Sequence, residues 1–223
     1  MTEISSWGRS LTGHYHDPSD WPKFDETWKA DVFRYVSLCL TEGVPFAFRD
    51  QPILFQRLRD KLAYRLGINS KSITLTGSAR SGFSYVPGQF GRAYNPQKSD
   101  LDLFLVSKEW FARLESDFLL FVSRYQAGLA LPKNPTEASY FEINATETPR
   151  DLKRGFIDQW KIPNKDRYQY ARAMYCAAYS FRYNLNSEAG IPIRKVSIRV
   201  YDRWESAISQ IGGSLLSCLK ARP

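Results

Sequence analysis

Cysteine is scarce in this chain. There are three in 223 residues, Cys39, Cys176 and Cys218, odd in number and far apart. That pattern excludes a disulfide framework and a zinc knuckle and fits a reducing cytoplasm, so all three are read as core thiols. Histidine is scarcer still, with only His14 and His16, in Gly-His-Tyr-His-Asp. Two histidines without a further cluster of ligand residues read as loop residues rather than as a metal site. No run of about 18 apolar residues is present, which excludes a membrane-spanning helix. Met1–Arg9 is polar and has no apolar signal core. Internal repeats and a flexible linker are also missing, so the chain reads as one domain.

Basic charge, by contrast, is plentiful. The formal net charge is +8. Between Arg150 and Arg203 twelve Lys/Arg stand against five Asp/Glu, so that segment holds +7 of it. An uneven basic half points to a polyanionic partner, RNA or the phosphates of an NTP, against the plain alternative of a solvated basic surface. The apolar and aromatic fractions are those of a globular chain with a real core.

The pattern of apolar residues predicts an α+β fold. Residues 1–24 read as an irregular arm ahead of a single domain over 25–223. Asp25–Glu42 is an amphipathic helix with Trp28, Val32, Tyr35, Val36, Cys39 and Leu40 on one stripe, stopped by Gly43. Gln51–Leu66 is a second helix, with Pro52 in its first turn and Leu54, Leu58, Leu62 and Leu66 as its stripe. Ser72–Thr76 is a strand. Ser107 caps a long helix whose buried face carries Trp110, Phe111, Leu114, Phe118, Val122 and Tyr125. Ser139–Asn144 reads as a short strand and Thr148-Pro149-Arg150-Asp151 as a helix start. In the helical, basic C-terminal half (148–223), Asp166–Leu185 is a helix with Tyr and Arg on its outer surfaces. Ile193–Tyr201 alternates as a half-buried strand, with Ser197, Arg199 and Tyr201 on one face. Asp202 with Glu205 three residues later is a capping-box pattern for the last helix.

One stretch (72–107) has a specific chemical reading. A strand ends at Gly77-Ser78, and a second strand carries Asp100 and Asp102. At a period of two residues the two carboxylates share a face, away from Leu101, Leu103 and Leu105. Paired acids repel unless a cation sits between them, which suits Mg²⁺ or Mn²⁺ sharing its shell with substrate phosphates. Gly77 lets the backbone approach a ligand, and Ser78 opens a short helix whose N–H groups favour phosphate.

Gly77, Ser78, Asp100 and Asp102 resemble the signature of the polymerase-beta-like nucleotidyltransferase superfamily. In Gly77-Ser78-Ala79-Arg80-Ser81-Gly82-Phe83-Ser84 and Ser99-Asp100-Leu101-Asp102 the chain looks like small bacterial members of phage-defence and toxin–antitoxin loci. The segment between the two motifs is longer than is usual there, and the excess is the loop around Val86–Lys98. The resemblance implies a small mixed β-sheet core flanked by helices. It also implies a metal-dependent transfer of a nucleoside monophosphate from an NTP to an acceptor hydroxyl on RNA or tRNA, a protein or a nucleotide. Asp100 and Asp102 would hold the metal. Ser78 and Arg80 would contact the β- and γ-phosphates, with Ser107 and Lys108 as further phosphate or nucleotide contacts. A later strand is expected to supply a third carboxylate. Lys195–Tyr201 has no internal acid, which leaves Asp202, Glu142 or none. The last outcome would give a catalytically weak or inactive module that binds nucleotide, RNA or a partner protein.

Overall fold

The computed structural model describes residues 3–21, 23–163 and 165–222. A four-stranded mixed sheet lies at its centre, consistent with the α+β expectation. The strands are β1 (Ile73–Thr76), β2 (Leu101–Val106), β3 (Phe156–Asp158) and β4 (Val196–Tyr201), in spatial order β1-β2-β4-β3. β2 runs parallel to β4, while β1 and β3 pair antiparallel on the two outer sides. Among the described residues no helix is long and apolar enough to cross a membrane.

Each strand buries both faces, and the faces differ. Leu75, Leu103, Leu105, Ile157, Ile198 and Val200 point into the larger core. Four helices cover it: α3 (Pro52–Leu66), α5 (Lys108–Gln126), α6 (Pro135–Lys153) and α7 (Gln169–Tyr183). The other face changes character along its length. At one end Phe104, Phe156 and Tyr201 join a second core. At the other, Thr76, Asp102, Ser197, Arg199 and Asp158 make it polar.

The second core is closed by the N-terminal segment, α2 (Lys29–Tyr35) and α8 (Trp204–Lys220). Trp7 of the short helix α1 (Ser6–Ser10) and Trp21 both pack there, with ring centroids 5.0 Å apart. The expected arm is thus packed onto the domain. Gly212, inside α8, has a packing reason. A Cβ there would stand 2.5 Å from the Phe33 ring, so the glycine lets α2 and α8 approach at a cost in helix propensity of about 1 kcal/mol.

Four expectations are corrected. Ser139–Asn144 is helical, not a strand. It lies inside α6, capped by Asn134, which accepts from the Glu137 N–H at 2.9 Å, with Pro135 in the first turn. Burial of Phe141, Asn144 and Thr148 at helical spacing outweighs the β-propensity of the Tyr-Phe-Glu-Ile run. The helix start expected at Thr148-Pro149 is instead the last turns of α6, with Pro149 inside the helix. The capping box at Asp202 does not form: Arg203 is the N-cap of α8 and makes no side-chain cap. Cys39 and Cys218 are buried, but Cys176 is exposed on α7.

Candidate functional site

The polar end of the second sheet face opens into a cleft of about 390 Å³. Its floor comes from all four strands. Thr76 of β1 lies opposite Asp102 of β2, and Asp102 opposite Ser197 of β4. Two residues along β4, Arg199 lies opposite Asp158 of β3. Gln210 and Ser214 of α8 make one wall. Tyr85, Val86 and Pro87 make the other, so the long loop borders the site as its position in sequence implied.

Gly77 forms the turn at the end of β1. It has φ 66° and ψ −158°, a region open essentially to glycine alone. A Cβ there would stand 3.7 Å from Asp102 Oδ2, which places that oxygen beside the turn. The Gly77 N–H donates to the Tyr85 hydroxyl at 3.0 Å. Burial pushes the Tyr85 pKa up, although hydrogen bonds with Thr76 and Gly77 work against it. Asp102 Oδ1 accepts from the Ser197 hydroxyl at 2.5 Å, which aims Oδ2 at the turn.

Arg199 and Asp158 form a two-pronged pair, Nε to Oδ1 at 2.8 Å and a terminal nitrogen to Oδ2 at 2.9 Å. Burial disfavours the guanidinium charge. The Asp158 carboxylate outweighs that and raises the Arg199 pKa above its ordinary value. Beyond it Tyr201 donates to Gln210 at 2.7 Å, and burial pushes its pKa up to about 12.

The structure keeps part of the expected residue set together and separates the rest. Gly77 and Asp102 wall the cleft; Ser78 begins α4 (Ser78–Ser81) beside it without walling it. Asp100 precedes β2 at the rim, where Arg194 donates to its Oδ1 at 3.0 and 3.2 Å. Arg80 turns the other way. It is buried and donates to the Cys39 carbonyl at 2.8 and 3.0 Å and to the Gly43 carbonyl at 3.0 Å, so the expected phosphate contact is not available to it.

Ser107 caps α5, accepting from the Trp110 N–H, and Lys108 follows it. Both lie at the far end of β2, about 16 Å along the strand from Asp102 at roughly 3.3 Å per residue. Asp202 is at that same far end, against Gly155 and Ser206. Glu142 sits on α6 and accepts from the Tyr125 hydroxyl. Neither candidate third carboxylate therefore reaches the cleft. The acid that does is Asp158, on a three-residue strand too short to show a periodicity.

His14 lies against Arg80, its Nε2 3.2 Å from a terminal guanidinium nitrogen. Burial, then the Arg80 charge, lowers the His14 pKa, and burial lowers that of His16. Folding therefore favours the neutral rings. Stability is full above the ordinary value of 6.5 and falls as acid protonates the unfolded chain first. The melting temperature should drop between pH 7.5 and 5.5, and less steeply in His14→Gln; equal slopes would remove His14 from this account.

A divalent cation can be fitted to this donor set. Among the described residues no group of three or more His, Cys, Asp or Glu gathers as a metal cluster. Mg²⁺, however, commonly takes only one or two carboxylates and completes its shell with water and phosphate. Asp102 lines the cleft, and the Asp100 pair with Arg194 has its arginine 69% exposed. Such a surface pair is worth about 0–1 kcal/mol, so it yields to a cation. Arg194→Ala should tighten divalent binding up to about fivefold, the equivalent of that pair energy. Titration calorimetry with Mn²⁺ checks this, and weaker binding by the variant would mean that Arg194 supports the site.

Comparison with protein-family models, curated proteins and solved structures found no match to this chain.

Proposed function

We propose that this protein is a metal-dependent nucleotidyltransferase, moving a nucleoside monophosphate from an NTP to an acceptor hydroxyl. The observation that carries the reading is Asp102 lining the cleft beside the side-chain-free turn at Gly77, its Oδ2 3.7 Å from where a Cβ on that glycine would stand. A triphosphate can approach that turn closely while its oxygens share a cation with the carboxylate. In the reaction the acceptor hydroxyl oxygen bonds to the α-phosphorus, its proton passes to solvent water, the bond from the α-phosphorus to the bridging oxygen breaks, and pyrophosphate leaves with that electron pair. A cation held by Asp100 and Asp102 would offset the phosphate charge. Ser197 fixes the rotamer of Asp102. Asp158 holds Arg199 rigidly at the cleft floor as a paired charge. Positioning and charge neutralisation supply most of the catalysis of such transfers.

The test is incubation with each labelled NTP, Mg²⁺ or Mn²⁺, and total RNA, with Asp102→Asn as the control. Label transfer that the variant loses supports the reading; transfer under no NTP, or transfer unchanged in the variant, sinks it.

A second reading has its own observation. The residue facing Asp102 on β4 is Ser197, not an acid, and both oxygens of Asp158 are taken by Arg199. A nucleotide-binding module without turnover would look like this. NTP and Mg²⁺ binding by calorimetry, with no product in the transfer assay, selects it.

A further inference from the structure

A second, larger cleft of about 510 Å³ lies beside the first, and Trp160 lines both. Lys195 and Val196, at its inner end, immediately precede Ser197 in the Asp102 cleft. Its walls are aromatic. On one side Tyr140 and Trp160 stack with centroids 6.3 Å apart at 25°, held by a hydrogen bond from the Tyr140 hydroxyl to the Trp160 carbonyl. On the other, Tyr175, Tyr179 and Arg182 lie at i, i+4 and i+7 along α7, on one helical face. Trp160 is 43%, Tyr175 42% and Tyr179 55% exposed, far more than a folding core requires.

The charges are also specific. Lys133, Arg182 and Lys195 line this cleft, against Glu137 and Asp166. Glu137 is already occupied in part by the Lys133 backbone N–H. Arg182 sits 5.7 Å over the Tyr179 ring, and Lys161 sits 4.7 Å over Trp160. Exposed rings along one cleft, with Arg182 and Lys195 beside them, suit unpaired bases and the phosphates that join them. A duplex hides its base faces and could use only the cations.

We infer that this cleft binds the end of a single-stranded RNA, bases on Trp160, Tyr175 and Tyr179 and backbone on Arg182 and Lys195, leading its terminal hydroxyl to Asp102. The inference rests on the transferase reading for the role of that hydroxyl, but the binding itself needs neither NTP nor metal. RNA is thereby selected among the acceptor classes.

The experiment is fluorescence anisotropy of the full chain with labelled eight-nucleotide single-stranded RNA, without metal or NTP, across a salt series. Tyr179→Ala with Tyr175→Ala removes two exposed rings and should weaken binding at least about tenfold, as loss of base stacking does. Arg182→Gln with Lys195→Gln should flatten the salt dependence. Asp102→Asn should bind as the parent does, so failure of transfer leaves this result standing and failure here leaves the transferase assay to be read alone. Four outcomes overturn the inference. The single strand fails to bind at low salt. The tyrosine variant binds unchanged, or duplex RNA binds as tightly as the single strand. A free mononucleotide binds with the same Tyr179 dependence, which would make the cleft a nucleotide pocket instead.

Discussion

Asp102→Asn should lower nucleotidyl transfer at least about a hundredfold while leaving the melting temperature within a degree or two. The substitution keeps the shape of the side chain and an oxygen for the Ser197 hydroxyl, which holds Asp102 at 2.5 Å. It removes the negative charge from the one carboxylate that both walls the cleft and faces Gly77. The two other acids near it among the described residues are both paired. Asp100 is at the rim on Arg194, and Asp158 is taken up by Arg199. The loss should appear in kcat, with NTP binding in the presence of metal reduced as well. Asp158→Asn gives a contrast: it loosens Arg199 and so should lower stability together with activity. If Asp102→Asn kept transfer within a fewfold of the parent, the chemistry would have to be elsewhere.

The second large effect is on stability. Arg80→Met should cost about 3–5 kcal/mol, the usual range for breaking a buried charged network, and lower the melting temperature by about 10 °C or more. Arg80 is 1% exposed, and burial lowers its pKa to about 10, below the ordinary arginine value. Its guanidinium ties α4 to the Cys39 and Gly43 carbonyls and to His14. Methionine would fill the volume but leave these carbonyls buried without donors, each costing about 1–3 kcal/mol. A phosphate-binding arginine would behave in the opposite way, with unchanged melting and weakened NTP binding. Thermal denaturation alongside an NTP titration separates the two roles, and an unchanged melting temperature would remove Arg80 from the fold's support.

Arg80 shows where local reading stops. Its position three residues after Gly77 was legible, and so was the turn itself. Which way its side chain points depends on residues 39–43, nearly forty positions earlier, and nothing in the octapeptide around it carries that information. Glu142 and Asp202 failed for related reasons. Glu142 went onto a helix because Phe141 and Thr148 bury at helical spacing, a pattern partly concealed by Pro149. Asp202 remained next to β4, but a parallel pairing with β2 put it at the end away from Asp102.

What the chain determined locally is considerable. Alternation placed Val196, Ile198 and Val200 opposite Ser197, Arg199 and Tyr201, because a strand has a period of two whatever it packs against. Helical stripes placed α3, α5 and α7, and Ser107 capped α5 through a contact only three residues long. Gly77 had to be glycine for its backbone angles, and Asp102 followed on its strand. Tertiary structure decided what those local facts cannot reach: the register that sets Ser197 beside Asp102, the edge strand that brings Asp158 to Arg199, and the aromatic cleft that Trp160 shares with the site. The physical reason is range. Periodicity and caps act over a few residues, whereas the cleft joins side chains between positions 76 and 214, and only packing both faces of one sheet brings them together.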